Sequence, residues 1–342
     1  MRSVKLSSSR DRSRHWPARL GYALLLSPFL LWGIFALWWG SWPRGACLTL
    51  LSVYAAAHCA IILLAPVRRV LPFCLAAFLV PLASFLLMQP SNDRNWQPDV
   101  ARTPYAEISG DRLVVHDVRN NVYRSETDYT PAYETRTYDL SKLKGVDVML
   151  TDWGLKYIAH TMVSFAFEGD DYLCFSIETR KETGESYSAV RGFFRQYELI
   201  YIAGDERDLV RLRTDFRKGE NVYLYRMRFA SPDDARRVLL GYLERINRLH
   251  EHPQWYNALT ENCMTSAFRL ARRETSEKRK WHWSIILNGF ADRHAYENKR
   301  IDTSLPFDEL KRLSLINERA LAAGDGPDFS RKIREGLPGM SQ

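Results

Sequence analysis

The stretch from Ile158 to Ile177 reads IAHTMVSFAFEGDDYLCFSI and indicates a β-hairpin. Two apolar runs within it, Thr161–Phe167 and Tyr172–Ile177, contain the β-branched and aromatic residues typical of strands. The four residues Glu168-Gly169-Asp170-Asp171 separate them, and Gly169 suits the positive φ angle that a tight hairpin turn requires. The hairpin therefore predicts an antiparallel sheet within a folded domain.

Further strand-like runs lie on both sides of the hairpin. Short apolar or alternating segments predict strands at Leu113–Val118, Val146–Leu150, Leu199–Ala203 and Asn221–Phe229.

Helical patterns follow these strands. A helix is expected to begin at Ser231-Pro232-Asp233, a second at Asn262, and an amphipathic third is expected over Phe307–Ala322. Together the strands and helices predict an α+β domain with a mostly antiparallel sheet and packed helices.

Three long apolar stretches precede this domain, at Leu20–Trp39, Ala46–Pro66 and Val70–Met88. Each approaches the ~20 residues that a helix needs to cross a bilayer. The sequence thus predicts a basic tail over residues 1–19, three transmembrane helices over residues 20–89 and a domain over residues 96–337.

Loop charges indicate the orientation of these spans. The tail is strongly basic, the Arg68-Arg69 pair lies between the second and third stretches, and the first loop contains only Arg44. The positive-inside rule therefore places the tail and the Arg68-Arg69 loop in the cytoplasm. The domain is then expected in the periplasm of a Gram-negative bacterium. The segment that precedes it is expected to be a multi-pass anchor in the inner membrane.

Composition excludes several functional classes. The net charge of +8 is concentrated in the basic tail, so the membrane explains it better than a nucleic-acid partner does. The five cysteines show no paired spacing and no CxxC motif, so neither a disulfide framework nor a structural zinc site is expected. No cofactor is predicted.

Cys263 stands where a polar turn, Thr260-Glu261-Asn262, meets an amphipathic stretch. In the first turn of a helix, free backbone N–H groups and the helix dipole favour a thiolate. Cys263 is therefore a candidate nucleophile, and Asn262 beside it is a candidate for stabilising an oxyanion. The alternative is that the thiol packs in the core.

A cysteine nucleophile needs a base and a group that orients the base. His160 begins a predicted strand, and an antiparallel hairpin brings Glu178, at the end of the next strand, close to it. The pattern also allows a structural His160 and a solvated Glu178 paired with Arg180 and Lys181.

Several ordered motifs resemble the Lnb-type family of bacterial lipoprotein N-acyltransferases, in its N-terminal periplasmic domain. They are Ala159–Phe167, Ser176–Arg180, Tyr197–Tyr201, Glu206–Leu209 and Tyr256–Thr265. The order of histidine before cysteine is also similar to the circularly permuted papain-like, NlpC-type group. The resemblance implies a papain-like antiparallel sheet with Cys263 as nucleophile, His160 as base and Glu178 as orienting group.

The resemblance leads to a membrane-anchored, cysteine-dependent acyltransferase that acts on a lipid or lipoprotein through a thioester. Expected partners are inner-membrane lipids, together with lipoproteins or a phospholipid acyl donor. Here the spans precede the domain, whereas the family carries a membrane portion after it. A periplasmic cysteine peptidase or amidase, and a non-catalytic envelope module, remain alternatives.

Two further groups of residues have open interpretations. Trp281 and Trp283 form either a lip at the bilayer surface or a core contact. Either a solvated basic face or contacts with anionic headgroups would explain Arg180, Arg191, Arg195, Arg207, Arg211 and Arg213.

Overall fold

A computed structural model describes residues 16–231, 233–277 and 280–340. The chain divides into two compact units, with the boundary between Gln89 and Pro90 and with residues 194–196 grouped with the first unit. Most of the predicted tail, residues 1–15, and Pro232 of the predicted helix start lie outside the described residues.

The described residues of the first unit, from residue 16 onwards, form three long helices. They are α1 (Trp16–Trp38), α2 (Arg44–Leu64) and α3 (Val67–Leu87). By length and composition, each of the three is able to cross a membrane.

The second unit contains a mixed sheet and several helices. Its strands are β1 (Tyr105–Ser109), β2 (Arg112–Arg119), β3 (Val122–Tyr123), β4 (Tyr129–Thr130), β5 (Tyr133–Asp139), β6 (Leu143–Asp152), β7 (His160–Phe167), β8 (Tyr172–Arg180), β9 (Glu198–Gly204) and β10 (Asn221–Arg226). Its helices are α4 (Glu206–Leu209), α5 (Asp233–Glu251), α6 (Cys263–Glu274), α7 (Ala291–Glu297), α8 (Phe307–Leu313), α9 (Asn317–Ala323) and α10 (Phe329–Lys332).

Among the described residues, eight strands form one sheet in the order β1-β2-β9-β8-β7-β6-β10, with β5 paired to β2. Neighbouring strands are antiparallel except for β2 and β9, which run parallel where Arg119 pairs with Gly204. The α+β class is therefore confirmed, and the sheet is mixed rather than antiparallel throughout. In the predicted hairpin, Gly169 has the expected positive φ of 79°.

Helices cover both faces of this sheet. On one face, α5 and α6 pack on side chains such as Phe165 and Phe175. On the other, α4, α9 and α10 pack on side chains such as Met162 and Cys174. Because both faces are covered, every residue of β7 is buried and its two ends are held rigidly.

The predicted helix over Phe307–Ala322 is instead two helices, α8 and α9. The chain between them pairs with β10, where Leu224 N donates to Ser314 O and Ile316 N donates to Val222 O. Those backbone groups satisfy the edge of a strand and cannot also continue a helix, which ends α8 at Leu313.

Candidate active site

Cys263 is the first residue of α6, as the sequence predicts. Asn262 caps the helix: its side-chain oxygen accepts hydrogen bonds from Met264 N at 3.0 Å and Thr265 N at 2.9 Å. The Thr265 hydroxyl in turn accepts from Asn262 N, which completes a capping box. This cap leaves the N–H of Cys263 without a hydrogen-bond acceptor among the described residues.

The sulfur of Cys263 lies against the start of β7. Its Sγ is 4.0 Å from the carbonyl oxygen of Ala159, and the backbone N–H of Thr161 also acts on the sulfur. The thiol therefore contacts the backbone on both sides of His160, so the structure brings Cys263 against the main chain of this predicted site residue.

His160 and Glu178 are also adjacent. The β7–β8 ladder pairs Met162 with Ser176, and two further residues in the same register place His160 opposite Glu178. His160 Nε2 is 3.2 Å from Glu178 Oε1.

A third side chain, Ser176, joins this pair. Its buried hydroxyl donates to Glu178 Oε1 at 2.7 Å and lies 2.8 Å from His160 Nε2. A hydroxyl has one proton to donate, so the Ser176 oxygen accepts from His160 Nε2–H. That tautomer leaves the lone pair on Nδ1.

Arg213 holds the carboxylate of Glu178 from the other side. The guanidinium is buried, and it donates to Glu178 Oε1 at 2.9 Å and to Glu220 Oε2 at 3.1 Å. Arg213 belongs to a π-helical turn, Leu212–Phe216, a local irregularity often found at functional sites. It is therefore not part of a solvated basic face, and neither is Arg180, which is also buried.

These contacts decide the protonation states at neutral pH. Burial, followed by the charges of Arg213 and Arg217, lowers the pKa of His160 to about 3 against the opposing charge of Glu178. Burial raises the pKa of Glu178, but His160, Arg213 and the Ser176 hydrogen bond outweigh it and hold that pKa below its usual value. The site therefore contains a neutral imidazole beside a carboxylate.

The thiol of Cys263 is neutral in the same state. Burial raises its pKa and the charge of Glu178 adds to this, while the N–H groups of Thr161 and Met264 and the charge of Arg213 oppose it. The helix start alone favours a thiolate, so the net shift is opposite to the sequence expectation, because burial outweighs the dipole.

A large cavity adjoins the site. It has a volume of about 670 Å³ and is lined mainly by apolar side chains of β6, β7, β10, α5, α6 and the segment 280–301. Thr161 and Met264, the chain neighbours of His160 and Cys263, both line it. The hydroxyl of Thr161 is buried and has no hydrogen-bond partner among the described residues.

Asn288 connects a distant loop to the same point. Its side-chain oxygen accepts from Ala159 N at 2.8 Å, and its side-chain nitrogen donates to Ala159 O. Sequence reasoning missed Asn288 and assigned Arg213 to a basic group apart from the site, because neither lies in a motif beside the histidine or cysteine. Among the described residues, no group of three or more histidine, cysteine, aspartate or glutamate side chains is arranged to hold a metal ion.

The fold and these contacts define an α+β domain. A cysteine at the start of a helix lies against the start of a strand that begins with a histidine. Residues 129–289 match the family described as the Lnb N-terminal periplasmic domain, so this part of the chain is an Lnb-type domain. The resemblance to the Lnb-type family seen in the sequence is thereby confirmed. No curated protein and no solved structure matches the chain.

The family and the first unit together indicate the location. The match points to the lipoprotein-modifying Lnb family, with a domain in the periplasm. Three apolar helices in the same chain make this an inner-membrane-anchored protein with a periplasmic domain.

Proposed function

We propose that this protein is a multi-pass, membrane-anchored acyltransferase that moves an acyl chain from a lipid to a lipoprotein through a thioester on Cys263. In this proposal α1, α2 and α3 each cross the inner membrane, and the domain has the permuted papain-like arrangement of cysteine and histidine. The observation that carries the proposal is the large apolar cavity lined by Thr161 and Met264, the chain neighbours of His160 and Cys263.

The first half-reaction begins with proton transfer. Because the thiol and the imidazole are both neutral, Nδ1 of His160 accepts the Cys263 proton as the sulfur attacks the ester carbonyl of the donor. The C–O bond of the ester then breaks, and the imidazolium returns the proton to the departing alcohol oxygen. Glu178 and Ser176 stabilise the transient positive charge from the Nε2 side.

The second half-reaction releases the acyl group. The amine of a lipoprotein attacks the thioester carbonyl, and His160 removes a proton from the amine. The C–S bond breaks, and the sulfur regains a proton from the imidazolium. The products are an amide and the free thiol, so the step balances without an oxidant.

Oxyanion stabilisation is assigned to groups beside the sulfur. The N–H of Cys263 has no acceptor among the described residues, and the unpartnered hydroxyl of Thr161 is a second donor. Asn262 remains a candidate support, although its side-chain oxygen caps α6 and its nitrogen donates to Ala258 O at 2.7 Å.

The cavity supports acyl transfer over peptide cleavage. Small-molecule sites usually enclose about 300–1,000 Å³, and an apolar lining suits a hydrocarbon chain because burial removes that chain from water. A peptidase or amidase would need an open, polar cleft beside Cys263. The walls on β6, β10, α5 and α6 are instead mostly aliphatic and aromatic.

The test uses the full chain in lipid nanodiscs with a lipopeptide that carries a free amino terminus. Mass spectrometry is expected to detect an amide-linked acyl chain on the peptide, and both Cys263→Ala and His160→Ala are expected to abolish it. Cys59→Ser is the matched control, because Cys59 is an exposed cysteine in α2 and its loss leaves transfer intact. Cleaved peptide without acyl transfer would instead support the amidase.

A second variant tests the cavity itself. Ala271 lines the cavity from α6, and Ala271→Phe is expected to fill part of it and shift the preference to shorter acyl chains. Arg272→Phe places the same ring one residue further along α6 at an exposed position, and it is expected to leave the chain-length preference unchanged. Equal chain-length preferences in both variants would contradict the placement of the acyl chain in this cavity.

A further inference from the structure

Two loops beside the site expose an unusual number of large apolar side chains. One loop joins β6 to β7, and the other precedes α7. The apolar rim, as we call this set, consists of Trp153, Leu155, Tyr157, Ile158, Trp281, Trp283, Ile286 and Leu287, each 40% exposed or more. Trp281 and Trp283 are thus not core contacts.

Direct contacts hold the two loops together. Gly289 N donates to Tyr157 O at 3.1 Å, and the ring of Phe290 packs against both Tyr157 and Trp283. A Cβ atom on Gly289 would collide with the backbone of Lys156 and Tyr157, so the approach of the loops depends on glycine here. The apolar rim is therefore one surface and not two separate loops.

This surface is continuous with the cavity and with the backbone of the site. Trp281 belongs to the apolar rim and also lines the cavity. Its neighbour His282 lines the cavity too. Asn288, from the second loop, holds Ala159 at the end of the first. A molecule at the apolar rim therefore has a short path to the cavity.

We propose that the apolar rim inserts into the periplasmic leaflet of a phospholipid bilayer, so that a lipid passes from the leaflet into the cavity without crossing water. A contiguous exposed apolar surface marks an interaction site. Tryptophan and tyrosine are the side chains that favour the boundary between headgroups and acyl chains. Lys156 and Lys280, both exposed beside the apolar rim, suit anionic headgroups.

A bilayer is the occupant that fits this chemistry best. The same chain carries three helices able to cross a membrane, so the domain is tethered to one. Lys156 lies between Leu155 and Tyr157, and Lys280 directly precedes Trp281. Basic residues beside exposed apolar ones are typical of surfaces that bind membranes. This inference does not depend on the thioester, because it concerns where the domain docks.

The test is photocrosslinking of the full chain in nanodiscs of phosphatidylethanolamine and phosphatidylglycerol. A benzophenone amino acid replaces Leu155 or Leu287 in a Cys263→Ala background, which separates the result from catalysis. Leu321 is the matched control, since it is an exposed leucine on α9, over the other face of the sheet. Mass spectrometry is expected to find a several-fold excess of phospholipid adducts at Leu155 and Leu287 over Leu321.

Equal adduct yields at all three positions would overturn the proposal, and so would crosslinks to a second copy of the chain. A second measurement uses the double variant Leu155→Asp, Ile286→Asp with Cys263 intact. Because both side chains are exposed, its unfolding midpoint is expected to be unchanged. Its Cys263 is expected to react several-fold more slowly with a lipid-borne maleimide and equally fast with a water-soluble one. Unchanged reaction with both reagents would also contradict docking.

Discussion

Glu178 lies across the β7–β8 hairpin from His160, with 3.2 Å between Oε1 and Nε2, and the Ser176 hydroxyl hydrogen-bonds to both. This arrangement fixes the imidazole proton on Nε2 and leaves Nδ1 free to accept a proton. The ring of His160, the proposed base, is therefore oriented by a serine and a carboxylate together, both on the neighbouring strand β8.

The variant Glu178→Gln tests whether the carboxylate of Glu178 stabilises the protonated form of His160. The amide keeps a hydrogen-bonding group but loses the charge that stabilises the imidazolium, so acyl transfer is expected to fall by roughly 10²- to 10⁴-fold, mainly in kcat. Glu220→Gln is the control, because Glu220 also accepts from Arg213 but does not contact His160. An equal loss of acyl transfer in both variants would assign the effect to the placement of Arg213. It would contradict a direct role of Glu178 in stabilising the protonated His160.

Alkylation of Cys263 by iodoacetamide tests the resting state of the thiol. Because burial raises the pKa of Cys263 above the usual thiol value of 9.0, little thiolate is present at neutral pH. The labelling rate, measured by peptide mass spectrometry, is expected to be low at pH 7 and still to rise above pH 9. A rate that reaches its plateau near neutral pH would indicate a preformed thiolate.

The pH dependence of stability tests the buried histidine. Its pKa is about 3 in the folded protein against an ordinary value of 6.5, so the unfolded chain binds more protons between these values. This contribution to stability is complete above about pH 6.5 and is lost as the pH falls towards 3. The lowered pKa of Glu178 acts in the same direction at lower pH.

The unfolding midpoint of the full chain in detergent is therefore expected to fall from pH 7 to pH 4. His160→Gln removes the titrating group and is expected to flatten this slope between pH 6.5 and pH 4. Identical slopes for the two proteins would mean that the imidazole is not buried in its neutral form.

Thr161→Val tests the unpartnered hydroxyl beside the cavity. Removing a buried hydroxyl without a partner is expected to stabilise the free protein by about 1–3 kcal/mol, while acyl transfer falls because an oxyanion donor is lost. Thr151→Val is a matched control: the Thr151 hydroxyl is also buried without a partner among the described residues, but it does not line the cavity. It is expected to stabilise the protein and keep transfer, so equal transfer in both variants would exclude a role for Thr161.

Local patterns predicted much of the fold. The two apolar runs and the turn residues of Ile158–Ile177 predicted the central hairpin, and Asn262 predicted the start of α6. The prediction of one long helix at Phe307–Ala322 was wrong. The residues at its break form hydrogen bonds with the backbone of β10, which is 90 residues away in the chain. Local propensity carries no information about such a partner.

The site was predicted only in part for the same reason. The predicted hairpin placed His160 and Glu178 close together. The alternation of side chains along a strand also places Ser176 on the same face as Glu178. Arg213 and Asn288 come from a π-helical turn and a loop, and they reach the site only in the folded chain. Burial, which reverses the expected pKa shift of Cys263, is likewise a property of tertiary packing.

In the proposed reaction Cys263 carries an acyl group, and His160 makes this possible. The most direct measurement is the mass of the Cys263 peptide from protein purified out of native membranes. The expected result is an acyl adduct that hydroxylamine removes and that is absent from His160→Ala. An unmodified Cys263 in the presence of every lipid donor tried, or an adduct that persists at full yield in His160→Ala, would contradict it.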